Sequence, residues 1–187
     1  MTSNQTPSQT VGPYFAYGLT AEQYRYPNGQ IADGAIANDK VADRIRIVGR
    51  VLDGEGRPIP DAMVEIWQAD RLGRYNQSGA GGFGRQGTGT DPESRFVFDT
   101  VKPGSVGGGQ APHLTVILFM RGLLSHLFTR IYFADEAEAN LADPVLAAVP
   151  AERRQTLVAR REDTANGPVY TFDIRMQGDG ETVFFDF

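Results

Sequence analysis

Cysteine is absent from the 187 residues of this chain. That removes thiolate nucleophiles, Cys-ligated zinc, iron–sulfur clusters and disulfide staples together, and it fits a reducing compartment. A chain this long buries roughly 70% of the surface its unfolded form exposes, so its core needs no staple. Histidine is scarce too, with only His113 and His126. Hydrolytic zinc sites usually recruit three protein ligands, and neither His-x-His nor His-Glu-x-x-His is present, which excludes a self-sufficient His-rich metal site. The serines lack a G-x-S-x-G context, which argues against a serine hydrolase.

Long apolar runs are missing as well. The longest, Leu114 to Met120, falls far short of the roughly 20 residues of a membrane-spanning helix. Met1 to Gln9 has neither the basic nor the apolar segment of a secretory signal. The expectation is a soluble, cytoplasmic protein. Positive charge is not in excess, with 18 Lys and Arg against 23 Asp and Glu and a net charge of −5. Arg44, Arg46 and Arg50, like Arg153, Arg154, Arg160 and Arg161, are interleaved with acids and apolar residues. They form no dense basic patch, so nucleic acid is not an expected partner.

Glycine is plentiful, at 22 residues, and 11 prolines accompany it, so turns are frequent. Between the turns stand short segments of strand character: Arg44 to Leu52, Met63 to Gln68, Arg95 to Thr100, Leu114 to Met120, Thr129 to Phe133, Val169 to Met176 and Thr182 to Phe187. This pattern predicts an all-β fold, an antiparallel or mixed β-sandwich in a single domain. Ile45, Ile47, Gly49 and Val51 share one parity and Arg44, Arg46 and Arg50 the other, so the first strand has one wet face. Leu114 to Met120 is apolar on both parities, as expected of a central strand covered on both sides. Helical character is confined to Asp135 to Ala142 and to Ala151 to Ala159, the latter opened by Pro150, as short excursions between strands. Gln9 to Asp43 and Asn76 to Asp91 have no regular pattern, and irregular stretches of that length point to function, to disorder or, foremost, to a partner that holds them. The organisation expected is a long N-terminal arm over 1–43, contributing to a partner interface and a substrate pocket, and a sandwich over 44–187.

The glycines between Gly79 and Gly89 lack the G-x-x-x-x-G-K-[ST] pattern of a phosphate cradle and predict a flexible surface loop. Gly49 to Tyr75, taken alone, is a structural strand–turn–strand unit. His113 lies in a strand and has two readings, a hydrogen-bonded structural residue or a functional one. Arg121 ends the most apolar strand at the parity of His113 and Thr115, so its guanidinium is expected to project from a largely buried element and to need an anion. That anion is either an acid of the fold or the carboxylate of a substrate or partner. Val183, Phe184, Phe185 and Phe187 at the C-terminus must be buried. Thr10-Val11-Gly12-Pro13-Tyr14-Phe15 places aromatics on an arm expected to dock on a neighbour.

In chain order, TPSQTVGPY (Thr6 to Tyr14), VLDGEGRPIPDAMVEIWQAD (Val51 to Asp70) with Gly73-Arg74-Tyr75, TVKPG (Thr100 to Gly104), APHL (Ala111 to Leu114), Arg121-Gly122, TRIYFADE (Thr129 to Glu136) and FDIRMQGDGETVFFDF (Phe172 to Phe187) form one series. The series resembles the intradiol ring-cleaving dioxygenases nearly end to end. The resemblance implies a β-sandwich and an enzyme that opens a catechol ring between its hydroxylated carbons with non-haem ferric iron and O2. The family's metal is held by two tyrosines and two histidines, phenolates suiting the ferric state.

That quartet is broken here. Tyr75 matches the first tyrosine and His113 the first histidine. Thr115 stands at the second histidine, and no tyrosine lies between Lys102 and His113. The likeness is therefore to an alpha subunit that binds no metal, with Tyr75, His113 and Thr115 as vestigial ligand positions and Fe3+ carried by a beta subunit. The resemblance further implies that Thr10, Gly12, Pro13, Tyr14 and Arg121 contribute to a substrate pocket at the interface between the subunits. There Arg121 would face the carboxylate of protocatechuate (3,4-dihydroxybenzoate), which the assembly converts with O2 to 3-carboxy-cis,cis-muconate. The competing reading is a non-catalytic ligand-binding sandwich of the same fold, a stable monomer independent of any such partner.

Overall fold

A computed structural model describes residues 6–9, 11–12, 14–26, 33–36, 44–75 and 82–186. Their alternating segments become nine strands: β1 Arg44–Leu52, β2 Met63–Gln68, β3 Phe83–Gly87, β4 Arg95–Val101, β5 His113–Phe119, β6 Leu127–Phe133, β7 Val158–Thr164, β8 Gly167–Thr171 and β9 Ile174–Arg175. The order is β3-β2-β5-β6-β7-β8-β1-β4, with β9 paired to β1. This path folds into two facing leaves, β3-β2-β5-β6 and β7-β8-β1-β4. The joint between them is short, since β6 and β7 share only the parallel pairs Tyr132 with Val158 and Phe133 with Ala159. β1 and β8 are also parallel, whereas β1–β4, β2–β3, β2–β5, β5–β6 and β7–β8 are antiparallel. The result is the expected mixed sandwich.

The core follows from side-chain parity. Ile45, Ile47 and Val51 of β1 and Phe96 and Phe98 of β4 meet Val64, Ile66, Leu114, Val116, Leu118 and Ile131 of the facing leaf. Each such large buried side chain contributes roughly 1.5–3 kcal/mol. The opposite parity of β1 is wet, and there Arg46 pairs with Asp99 at 2.7 Å and Arg50 with Asp173 at 3.1 Å. Gly49 interrupts the apolar parity for a steric reason: a Cβ there would lie 1.8 Å from the Phe172 carbonyl oxygen.

The arm closes this sandwich in cis. Ile36 N donates to Asp99 O at 2.9 Å and Asp99 N to Gly34 O at 2.8 Å on β4, while Arg85 N of β3 donates to Asp33 O at 3.0 Å. Residues 33–36 thus bond to both terminal strands of the path, whose open edges would otherwise invite pairing with other chains. Helix α1, Phe15–Leu19, and the 3₁₀ turn Ala21–Tyr24 follow the first arm residues. Val11 and Phe15 are buried against Met63, Ile117 and Phe119 of this chain's own sheet, so the described part of the arm packs on its own chain.

Other differences from the sequence reading have local causes. The glycine-rich stretch expected to be a surface loop forms β3 over residues 83–87, because Gly84 lets that strand sit against Phe98 and Ile36, where a Cβ would clash at 2.7–3.0 Å. The expected helix 151–159 is a 3₁₀ segment, Ala151–Leu157, running directly into β7. Helix α2, Ala137–Ala142, lies within the predicted excursion. Helix α3, Pro144–Ala148, follows it, capped by Asp143, whose side chain accepts from Val145 N and Leu146 N. Phe184 and Phe185 form no strand, and Phe187 lies outside the described residues. The segment meets β6 through the bridge of Phe185 to Phe128, and Val183 and Phe185 pack on a cluster that includes Tyr132 and Leu146.

Candidate functional site

The leaf β3-β2-β5-β6 gives one face to the core and the other to the site. In an antiparallel pair, directly opposed residues project to the same side, so the register orders this outer face into rows. Met63 lies opposite Phe119. The next row is Arg85, Glu65, Ile117 and Phe128, and the one after it Phe83, Trp67, Thr115 and Arg130. His113 and Tyr132 follow. Val11, Phe15 and Leu19 cover the first rows, and α3 with the C-terminal segment covers the last.

At the arm's end of this face, the register of β2 and β5 runs on beyond both strands. Met63 opposes Phe119, and two residues further out Asp61 pairs with Arg121. The Arg121 side chain is 71% exposed. This corrects the expectation of a guanidinium projecting from a buried element: β5 ends at Phe119, and Arg121 stands in the turn beyond it. An acid of the fold is its partner, as one of the two open readings had it, yet most of the guanidinium faces outward. Arg121, Asp61, Val11, Gly12, Ala16, Tyr17 and Tyr24 line a cavity of about 360 Å³. Burial, with Tyr17 and Asp61 adding to it, pushes the Tyr24 phenol above its ordinary pKa, so it remains a donor. Tyr14, at the start of α1, is 84% exposed. Thr10 and Pro13 lie outside the described residues. The sequence reading missed Asp61, Tyr17 and Tyr24. Asp61 was findable, because extending an antiparallel β2–β5 register from Met63–Phe119 places it opposite Arg121.

The positions matched to a metal quartet are not assembled into one. Tyr75 follows the Asp70 turn, in which Gly73 takes φ +73° and a Cβ would stand 1.8 Å from Ser105 O. Tyr75 is half exposed, and among the described residues it pairs with neither His113 nor Thr115. His113 is buried, its Nδ1 2.8 Å from the Ala111 carbonyl, to which it donates, and its ring lies 5.7 Å from Tyr132. Burial, reinforced by the Arg130 charge, holds its pKa below the ordinary histidine value. Beside it Arg130 donates to Gln110 Oε1 at 2.9 Å and to Tyr132 OH at 3.2 Å, and Tyr132 OH donates to Asp143 Oδ1 at 3.2 Å. Burial pushes the Tyr132 pKa up to about 12, so this phenol is not a phenolate ligand in waiting. Ferric iron needs anionic oxygen and imidazole lone pairs. One imidazole, a threonine hydroxyl and a guanidinium in register with it do not fit that ion. Among the described residues, no group of three or more His, Asp or Glu is placed to hold a metal.

The described residues thus form a mixed two-leaf sandwich with His113 and Thr115 on the outer face of one leaf and Arg121 at the edge of a cavity. The dioxygenase family model Dioxygenase_C matches residues 11–178, and the chain belongs to this family, the intradiol ring-cleavage dioxygenases. It is 53% identical to the protocatechuate 3,4-dioxygenase alpha chain of Burkholderia cepacia, covering 99% of this chain and 98% of that one. With the Pseudomonas putida alpha chain the identity is 42%, over 98% and 96%. The B. cepacia beta chain of the same enzyme is 33% identical over 79% of this chain and 71% of that one. Among solved structures, the dioxygenase domain of a carbohydrate-binding fusion protein from Streptomyces sp. SirexAA-E superposes with a TM-score of 0.63 at 23% identity, over 96% of this chain and 100% of that chain, a likeness of fold.

Proposed function

We propose that this chain is an alpha subunit of protocatechuate 3,4-dioxygenase, a cytoplasmic, iron-free partner to an iron-bearing beta subunit. The assembly opens protocatechuate with O2, between the hydroxylated carbons, to 3-carboxy-cis,cis-muconate. The observation that carries this reading is the pairing of a near full-length likeness to an alpha chain with an outer face whose donor set cannot hold ferric iron.

In this reading the chain supplies one wall of the substrate pocket and no redox centre. Gly12 and Tyr14 form the edge of that wall. Arg121 recognises the substrate carboxylate through a charge-assisted hydrogen bond, and Asp61 holds the guanidinium toward the cavity. Val11 and Ala16 keep water from the carboxylate, which strengthens that interaction. The Tyr24 phenol, kept protonated, adds a hydroxyl donor. Tyr75, His113 and Thr115 take no part in the reaction.

The test is expression of this chain alone and with its beta partner, followed by iron analysis, visible absorbance and protocatechuate-dependent oxygen uptake. Iron, colour and turnover are expected only in the co-expressed sample. Stoichiometric iron in the single chain would overturn the iron-free assignment. A failure of the two chains to associate would favour a ligand-binding sandwich that acts alone.

A further inference from the structure

We infer that Trp67, Thr115 and Arg130 form a binding site for a small carboxylate anion on the outer face of the β3-β2-β5-β6 leaf. The three are consecutive in one row, Trp67 opposite Thr115 and Thr115 opposite Arg130. Directly opposed side chains in such a row stand about 5 Å apart. The row lies where the two covers of this face stop. The arm buries Ile117 and Phe119 on one side, α3 and the C-terminal segment bury Tyr132 on the other, and Trp67, Thr115, Arg130 and the neighbouring Phe128 remain partly exposed between them.

The row presents donors and lacks acceptors. Trp67 Nε1 and Arg130 Nε are buried with no partner, and a buried donor left unpaired costs about 1–3 kcal/mol. Arg130 bonds only through Nη1, to the uncharged Gln110 and Tyr132, which leaves Nη2 and the Thr115 hydroxyl for the open side. The nearby carboxylates make their ion pairs and hydrogen bonds with other groups. Glu65 in the neighbouring row pairs with Arg85 through Oε1, and its Oε2 is buried without a hydrogen-bond partner, while Asp143 accepts from Ala111 N, Val145 N, Leu146 N and Tyr132 OH. Arg130 therefore has no ion pair among the described residues. A metal centre needs lone pairs pointing inward, and this face offers the opposite polarity: an indole N–H, a hydroxyl and a fixed cation whose planar fork matches a carboxylate. Phe83 and Phe128 supply apolar flanks.

Trp67 is the single tryptophan of the chain, so 5-fluorotryptophan labelling gives one ¹⁹F resonance that reports this row. Sodium acetate titrated against sodium chloride at constant ionic strength is expected to shift that resonance saturably, while neutral acetamide leaves it in place. Arg130→Gln should abolish the shift and Arg130→Lys should weaken it. Should Arg130→Gln fail to fold, Thr115→Glu places a carboxylate in the row, and it is expected to move the resonance in the acetate direction, remove the response to acetate and raise the melting temperature. Repeating the titration in the alpha–beta assembly separates two sources of carboxylate. A continued response marks a free acid, and a resonance already at the acetate-bound position marks a partner side chain. No saturable shift in the wild-type chain, equal shifts with acetate and acetamide, or an undiminished response in Arg130→Gln or Thr115→Glu would overturn the site.

Discussion

Arg85 and Glu65 form an ion pair with almost no water around it, 2.8 Å apart with side chains 3% and 0% exposed, and the Thr6 hydroxyl bonds to both. Arg85 also donates to the Leu19 carbonyl at 3.3 Å. A single buried charge pair on β2 and β3 therefore ties down the arm at two points, before and after the segment that reaches the cavity. Such a pair adds little net stability over an apolar one, but loss of one partner strands the other and costs about 3–5 kcal/mol. Arg85→Met should lower the free energy of unfolding, measured in urea, by that amount. The double variant Arg85→Met with Glu65→Leu should recover most of the loss, and a single variant as stable as wild type would refute the tether.

Arg121→Ala in the assembled enzyme should leave folding and iron content intact, because an exposed ion pair is worth about 0–1 kcal/mol. In the proposed role its effect falls on substrate. Losing a charge-assisted hydrogen bond of about 1.5–3 kcal/mol lowers kcat/KM for protocatechuate roughly 10- to 100-fold, while catechol, which has no carboxylate, is spared. Asp61→Asn loosens the guanidinium without removing it and should cost less. Steady-state oxygen uptake with the two substrates checks both.

His113 makes stability depend on pH. Burial, the largest effect, depresses its folded-state pKa below the ordinary 6.5. The unfolded chain therefore takes up the proton first as pH falls. Its contribution is complete above pH 6.5 and is lost as pH drops through the window below that value, with a slope of at most about 1.4 kcal/mol per pH unit. Urea unfolding at pH 7.5 and pH 5.5 should show this loss in the wild type and a smaller one in His113→Gln. Equal losses in the two proteins would place the titration elsewhere.

Asp143 is fully buried and accepts four hydrogen bonds, three from backbone amides and one from Tyr132. Asp143→Ala removes the cap of α3 and leaves the Tyr132 hydroxyl and the Ala111 amide without their acceptor. A cost of about 3 kcal/mol follows, with amide exchange at Ala111, Val145 and Leu146 rising before exchange in β1. Thermal unfolding and hydrogen exchange would measure the two effects.

Two strands were legible in the sequence residue for residue. In β1 one wet and one buried face write a period of two directly into the chain, whereas β2 is buried at nearly every position and was marked by its apolar, strand-forming residues between turns. β3 was not legible, since glycines chosen to let Phe98 and Ile36 approach look like loop. Helix α3 carried an unread signal, the Asp143-Pro144 pair of an N-cap and first helical residue. The C-terminal segment has strand composition yet packs by its side chains along β6, a choice made by the surface beneath it.

The sequence by itself determined the fold class and the family, for these rest on residue identity: parity patterns and an ordered series of motifs. Only the tertiary structure decided what the remaining residues do. Asp61 reaches Arg121, and Trp67, Thr115 and Arg130 stand in one row, because the strand register brings them together across tens of residues of sequence, and the packing of the arm carries Thr6 to Glu65 and Arg85. Charge and hydrogen bonding act over a few ångströms, and distance along a chain says nothing of that separation until the sheet is paired.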